Sequence, residues 1–293
     1  MTRISIIFFT FLFLNYNYAI CNQLKLTIEL EKEIFYEGED IWVFVNLVNV
    51  SNSHERVYYY DTGTPYVFFS LLDGTENIVR PFVQDYENYW QAPYVDLNPN
   101  DTLQVVINIL DFYCNNINRR GPLPTFCYLV DGKYSIKAKF RHFIKNQDNH
   151  HEQLYIHSNR EYFEVRKPYE EELEVFWKIR NALGYRLENN TKEYVNALQD
   201  IIRFYPESVY ITTVYELLAI EYSVIINEKQ KAYDIRRNII MNYPDSGASV
   251  NALRNFYLQR VDKAFINDIE RKIIEEKGHT RVGTYIRKRM RTE

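Results

Sequence analysis

The residues that punctuate or staple a chain are scarce in this sequence. Three cysteines, nine glycines and nine prolines in 293 residues exclude a disulfide-dense scaffold, a collagen-like chain and a low-complexity one. No sign of charge dominates: 35 basic and 39 acidic residues leave a net charge of −4. That is too balanced for a surface that follows a phosphate backbone, so nucleic acid is not an expected partner. The sequence also lacks repeated apolar runs of about 20 residues, which excludes a polytopic membrane protein. G-x-S-x-G, G-x-x-x-x-G-K-[ST] and G-x-G-x-x-G are all missing. The usual supports of nucleotide chemistry and of the common hydrolases go with them, and no cofactor is expected.

What is present is core-forming material. Hydrophobic residues make up 46% and charged residues 25%, enough to bury real cores, and 26 Tyr with 18 Phe raise the aromatics to 16%. The length suits two domains.

Residues 1–21 begin with a basic Arg3, run apolar from Ile4 to Leu14, turn polar at Asn15 and Asn17, and offer a small residue at Ala19. This order reads as a secretory signal peptide and implies an exported, periplasmic or extracellular protein. Cys21 resembles the lipid-attachment cysteine of bacterial lipoproteins, although Tyr18-Ala19-Ile20 departs from the Leu-small-small pattern before it. Membrane attachment is expected only if Cys21 is lipidated.

From residue 22 to 167 the pattern is strand-like. Leu24, Leu26, Ile28 and Leu30 alternate with polar residues, and a β-branched and aromatic run follows over 41–50. Further strands are expected at 57–60, 66–72, 102–110, 133–143 and 154–165, with turns at Asp61-Thr62-Gly63, Asp73-Gly74, Asn98-Pro99 and Asp131-Gly132. Seven short strands with turns between them indicate an antiparallel sandwich. Asp131-Gly132-Lys133-Tyr134, opening an alternating strand, resembles the tyrosine corner of immunoglobulin-like domains. The resemblance implies that the Tyr134 hydroxyl bonds back to the preceding corner. Two positions on, where antibody domains place a cysteine, stands Ile136, so their inter-sheet disulfide is not implied.

Beyond Lys167-Pro168 the apolar period becomes helical, with Leu173, Phe176, Trp177, Ala182 and Leu183 recurring, and Glu170-Glu171-Glu172 reads as a solvated first turn. An internal repeat follows. Ile201-Ile202-Arg203-Phe204-Tyr205-Pro206-Glu207-Ser208 returns 38 residues later as Ile239-Ile240-Met241-Asn242-Tyr243-Pro244-Asp245-Ser246. The segment from Asp234 to Ile240 returns 34 residues later as Asp268 to Ile274. Helical pairs have this length. The apolar pair closes one helix, Tyr-Pro stops it, and Ser208 or Ser246 is placed to cap the next; Ile202 and Ile240 are expected to be buried equivalents. The motif resembles the tetratricopeptide repeats of envelope proteins, over roughly residues 170–276, and weakens after Pro244 as a terminal unit does.

The expected fold is therefore all-β plus all-α: an N-terminal immunoglobulin-like antiparallel sandwich over 22–167 and a tetratricopeptide-like α-solenoid over 168–293 with a basic C-terminal tail. The expected role is that of a non-enzymatic exported interaction module or scaffold of the cell envelope, holding a protein or peptide on the helical repeats. One alternative is an aspartic-protease-like hydrolase: Asp61-Thr62-Gly63 and Asp245-Ser246-Gly247 resemble the paired loops of that family, whose two carboxylates share a proton. Against it, Asp245 sits in a turn between helices. A second alternative is glycan binding by a sandwich carrying Tyr86, Tyr89 and Trp90.

Other groupings point less far. His142, His150, His151 and His157 fall close together, but His150 and His151 belong to a polar hairpin tip and no zincin motif follows them, so no metal is assigned. In an oxidising compartment Cys114 and Cys127 either close the intervening loop as a disulfide or remain two buried thiols. Arg281, Arg287, Lys288, Arg289 and Arg291 give a basic end that reads as a solvated helix end whose cations suit the dipole, the alternative being contact with anionic lipid or an acidic partner. Three N-x-[ST] sequons, at Asn49, Asn100 and Asn189, matter only in a eukaryotic secretory route.

The mature chain is expected to start after Ala19 or Cys21. Intact-mass measurement of the exported protein checks this; a chain retaining Met1 refutes cleavage, and a diacylglycerol mass on Cys21 establishes a lipoprotein.

Overall fold

A computed structural model describes residues 23–58, 67–81, 94–113, 127–145, 151–259 and 261–289. Its first half is built of strands and its second of helices, and the change falls between the strand ending at Arg166 and the helix opening at Glu170. β1 (Leu24–Leu30), β3 (Trp42–Asn49) and β8 (Thr102–Asn108) form one antiparallel sheet in the order β1-β3-β8. β2 (Ile34–Tyr36), β10 (His151–Arg166), β9 (Gly132–Lys145), β5 (Val67–Asp73) and β6 (Ile78–Val79) form a second sheet in that order, and β4 (Glu55–Tyr58) pairs with β7 (Tyr94–Leu97) in a third.

The second sheet is mixed. β2 runs parallel to β10, which corrects the expectation of a wholly antiparallel sandwich. The reason lies in the path of β1 and β2, which both follow β10 in the same direction. Asn159 exchanges hydrogen bonds with the Ile28 backbone at 2.8 and 3.0 Å, and Ile34 then lies opposite Glu164. A chain that crosses between sheets without reversing must pair in parallel. β2, β6 and β7 are too short to give a readable alternation.

Period-2 burial places Val43, Val45, Leu47, Val105 and Ile107 against Leu71, Ile136, Ala138, Phe140 and Val165 in one core between the two larger sheets. At the corner before β9, the Tyr134 hydroxyl donates to the Val130 carbonyl at 2.8 Å. Asn49 is fully buried and its Nδ2 donates to the carbonyls of Ser53 and Leu97; its sequon is structural and closed to any glycan.

Seven helices follow among the described residues: α1 (Glu170–Leu187), α2 (Thr191–Phe204), α3 (Ile211–Ile220), α4 (Lys229–Asn242), α5 (Gly247–Leu258), α6 (Lys263–Lys277) and α7 (Arg281–Arg289). The repeated sequences form α2, α4 and α6, and α3, α5 and α7 answer them. Ser246 accepts from the Ser249 amide and caps α5. Ser208 stands two residues before Tyr210, the cap position of α3, and its Oγ accepts from the Tyr210 amide at 3.3 Å but from no amide of the helix itself. Instead its hydroxyl donates to Glu172 at 2.6 Å, and Glu172 also accepts from the Val209 amide at 3.1 Å. So the acidic first turn of α1 is in part a clamp on the next repeat's turn, which a solvated reading missed. The third unit does carry the cap position: Thr280 is buried and its hydroxyl accepts from the Gly283 amide.

The fully buried equivalents are Ile201, Ile239 and Ile273, at 0 to 1% exposure; Ile240 is buried as expected, but Ile202 is half-covered. In α1 the buried face is Val175, Phe176, Ile179 and Ala182, leaving Leu173 and Trp177 outside.

The two halves share a core. Trp42, Phe44 and Val106 point away from the strand core and are buried with Ile240, Val250, Leu253 and Ile286. A β-carbon on Gly247 would lie 2.2 Å from the Trp42 ring, so only glycine lets α5 reach the sheet. Gly247→Ala is therefore expected to destabilise the protein by about 1–3 kcal/mol. Gly184→Ala, in α1, meets nothing within 4 Å and is expected to gain about 1 kcal/mol from helix propensity. Denaturant melts of both variants check the pair; an unaffected Gly247→Ala refutes the close approach.

Candidate functional site at the junction of strands and helices

The strand half meets the helical repeats along a cleft of about 320 Å³. Glu31 and Lys32, after β1, and Glu39, Asp40 and Trp42, before and in β3, form one wall. Pro206, Glu207, Ser208, Val209, Ile211 and Thr212, from the turn into α3, face them together with Tyr243 and Ser246 from the equivalent turn into α5. Both copies of the Tyr-Pro-x-Ser motif thus end on one cavity. Proline halts the preceding helix there and the hydroxyls bind backbone locally, so these turns hold a fixed shape.

Four carboxylates face one ammonium across this cleft. Glu39 is almost fully buried; one oxygen pairs with Lys32 and the other accepts from the Tyr36 amide at 2.9 Å. Desolvation outweighs both partners and pushes its carboxyl up to about 7. Asp40 accepts from Asn108 Nδ2 at 2.7 Å and from the Thr213 hydroxyl at 2.8 Å, bridging β8 to α3. Its desolvation is stronger than the two hydrogen bonds, and its carboxyl rises to about 6. Glu31 accepts from the Gly247 amide at 3.0 Å, and burial raises it too. Beyond the lining, the Tyr210 hydroxyl donates to the Glu37 carbonyl at 2.8 Å. Arg236 grips Glu216 at 2.7 Å, and Glu216 adds to the repulsion felt at Asp40.

Chemically, this is a negatively charged recess whose charge changes near neutral pH. It suits a cationic group, which would stabilise the ionised carboxylates. No local motif announced it. Glu39-Asp40 follows the turn-forming Gly38, and Glu31-Lys32 reads as a strand end; only the fold brings them together.

The residues singled out from sequence are dispersed. Asp61, Cys114, His150, Arg291, Tyr86, Tyr89 and Trp90 lie outside the described residues. Asp245 is exposed and accepts from the Arg281 amide at 3.1 Å, holding the start of α7. Cys127 is buried in the strand core. His142 is buried against Phe140, and burial lowers its pKa, whereas His157 is exposed on the opposite face of the sheet. The cations of α7 turn back onto the protein. Arg281 lies over the Phe44 ring and pairs with Glu29 at 2.9 Å, Lys288 donates to Asn46 at 3.2 Å, and Arg289 covers the Tyr257 ring and pairs with Glu270. This corrects their reading as a solvated helix end: cationic stems cover apolar surface while their heads find carboxylates or amides. Among the described residues no helix is long and apolar enough to cross a membrane.

No family model and no curated protein matches the chain. Among solved structures it is weakly similar to the sporulation control protein Spo0M of Bacillus subtilis, at 11% identity and a TM-score of 0.24, over 56% of this chain and 55% of that one. It is weakly similar also to a β-glucosidase of Kluyveromyces marxianus solved with glucose, at 14% identity and a TM-score of 0.21, over 49% of this chain and 15% of that one. At such scores neither carries an argument.

Raised carboxyl pKa values set a pH dependence of stability. The folded protein binds these protons more tightly than the unfolded chain, so stability falls as pH rises through about 6 to 7 and is regained towards pH 4 to 5, where the unfolded carboxyls also protonate. Thermal melts between pH 5 and 8 are expected to show it, and Glu39→Gln to flatten it. The lowered pKa of His142 adds the opposite slope equally to both proteins, so the comparison decides: a Glu39→Gln variant with the same pH dependence as the parent refutes the assignment.

Proposed function

We propose that this chain is an exported, non-enzymatic interaction module: an immunoglobulin-like strand half joined to tetratricopeptide-like helical repeats, with a protein or peptide partner held at the repeat turns. The corner bond of Tyr134 and the switch of β1 and β2 between sheets support the first likeness. Three successive helical pairs with equivalent buried isoleucines support the second. Export rests on the character of residues 1–21.

The observation that carries the reading is the convergence of both Tyr-Pro-x-Ser turns on the acidic cleft. A recess of this volume admits one side chain and not a folded surface. The partner is thus an extended segment that inserts a lysine or arginine between Glu207 on the helical wall and Glu31 and Glu39 on the strand wall. Selection from a displayed peptide library is expected to enrich basic peptides. Glu207→Lys, which reverses an exposed charge at the mouth, is expected to weaken them on the order of tenfold by like-charge repulsion. Glu193→Lys, on the exposed surface of α2, is expected to leave binding unchanged. Failure of the parent to select any peptide, or full binding by Glu207→Lys, sinks the proposal.

A further inference from the structure

The solvent face of the five-stranded sheet carries a charge opposite to that of the cleft. Alternation along β9 turns Tyr134, Ile136, Ala138 and Phe140 inward and Lys137, Lys139 and Arg141 outward. Lys137 lies opposite Arg160 and Lys139 opposite His157 on β10. Same-face residues recur about every 6.8 Å along a strand, so three cations stand in single file with two more basic residues beside them. We propose that this row is a docking strip for a linear acidic polysaccharide.

Charge complementarity carries the proposal. Among the described residues, the carboxylates bordering the row are engaged by neighbours: Glu76 by Arg160 and Glu164 by Arg166. Neither of them neutralises Lys137, Lys139 or Arg141. Arg141 supports the same reading by its placement: the half-buried side chain holds its guanidinium over the Phe68 ring at 4.6 Å, which fixes a planar donor fork beside the two lysines for a carboxylate or sulfate.

The aromatic rings decide between polyanions. Lys139 lies 5.5 Å from the Phe68 ring centre and 4.3 Å from that of Tyr155, and Arg141 lies 4.6 Å from that of Phe68. These rings already carry cations, and the exposed Tyr162 beside Arg160 is a single ring, so the row offers no ladder of free faces for the stacking that single-stranded nucleic acid uses. An acidic peptide gains main-chain bonds by adding to a sheet edge, and β9 lies between β10 and β5, with no free edge. A single file also fits a polymer better than a membrane plane. A stiff chain bearing acid groups at regular intervals meets all three conditions.

The test uses the full chain on immobilised polygalacturonate and dextran sulfate, with neutral dextran, oligodeoxythymidine, polyglutamate and phosphatidylserine vesicles in parallel. Both acidic polysaccharides are expected to retain the protein, added salt to release it, and neutral dextran not to hold it. The combined change Lys137→Ala, Lys139→Ala, Arg141→Ala is expected to weaken binding at least about tenfold, through the lost ion pairs. Lys25→Ala, on β1, is expected to bind as the parent does. Should the combined variant fail to fold, Lys137→Glu alters one exposed position and is still expected to weaken binding. The proposal is overturned if the polysaccharides do not bind, if the folded variants bind like the parent, or if oligodeoxythymidine, polyglutamate or vesicles bind more tightly than the polysaccharides.

Discussion

One end of the three-stranded sheet is apolar on both faces, and this constraint organises the molecule. Val43, Val45 and Leu47 turn to the strand core, while Trp42, Phe44 and Val106 turn the other way. Where that second face meets water it carries polar residues, Lys25 and Glu29 on β1 and the bonded pair Asn46 and Gln104. Trp42, Phe44 and Val106 must instead be covered, and α5 and α7 cover them. The absence of a side chain at Gly247 is the geometric condition for that contact. Once α5 is seated, the helical turns are pressed against the loops at the end of the strands, and the cleft is the space left between them.

Seating the helices also traps charge. Glu31, Glu39 and Asp40 lose much of their hydration and keep only a few donors in return, an arrangement that costs stability whenever they are ionised. Each is nevertheless held in place by a named bond to the opposite half or to its own loop, so the junction is polar and specific at its rim and apolar at its centre. The helical half follows the same logic internally: Arg186 meets Glu221 at 2.7 Å with both side chains almost fully buried, where α3 passes into a π-turn. Such pairs add little net stability against an apolar alternative, but removing one partner strands the other.

Charge is therefore partitioned by surface although the total is nearly balanced. The cleft concentrates carboxylates, the outer face of the five-stranded sheet concentrates cations, and the cations of α7 are absorbed by Glu29, Glu270 and aromatic faces. A net charge of −4 hides this partition, because composition sums what the fold separates.

Local pattern determined much of the architecture. The alternation at Leu24 to Leu30, the shift to helical spacing after Pro168 and the 38- and 34-residue repeats each depend on residues close in the chain, and each matches an element of the structure. The hydrogen bond of Tyr134 is local too, spanning four residues. What escaped the sequence was set by distant neighbours. Ile201 rather than Ile202 became the fully buried position, Glu172 clamped a turn 36 residues away, and Thr280 took the cap place without its motif. The cleft was invisible for the same reason: Glu39 and Asp40 meet Ser208 and Thr213 only because the outer face of one sheet needed covering. Periodicity reports which face of an element is apolar, whereas the partner that buries it is chosen by packing across the whole chain.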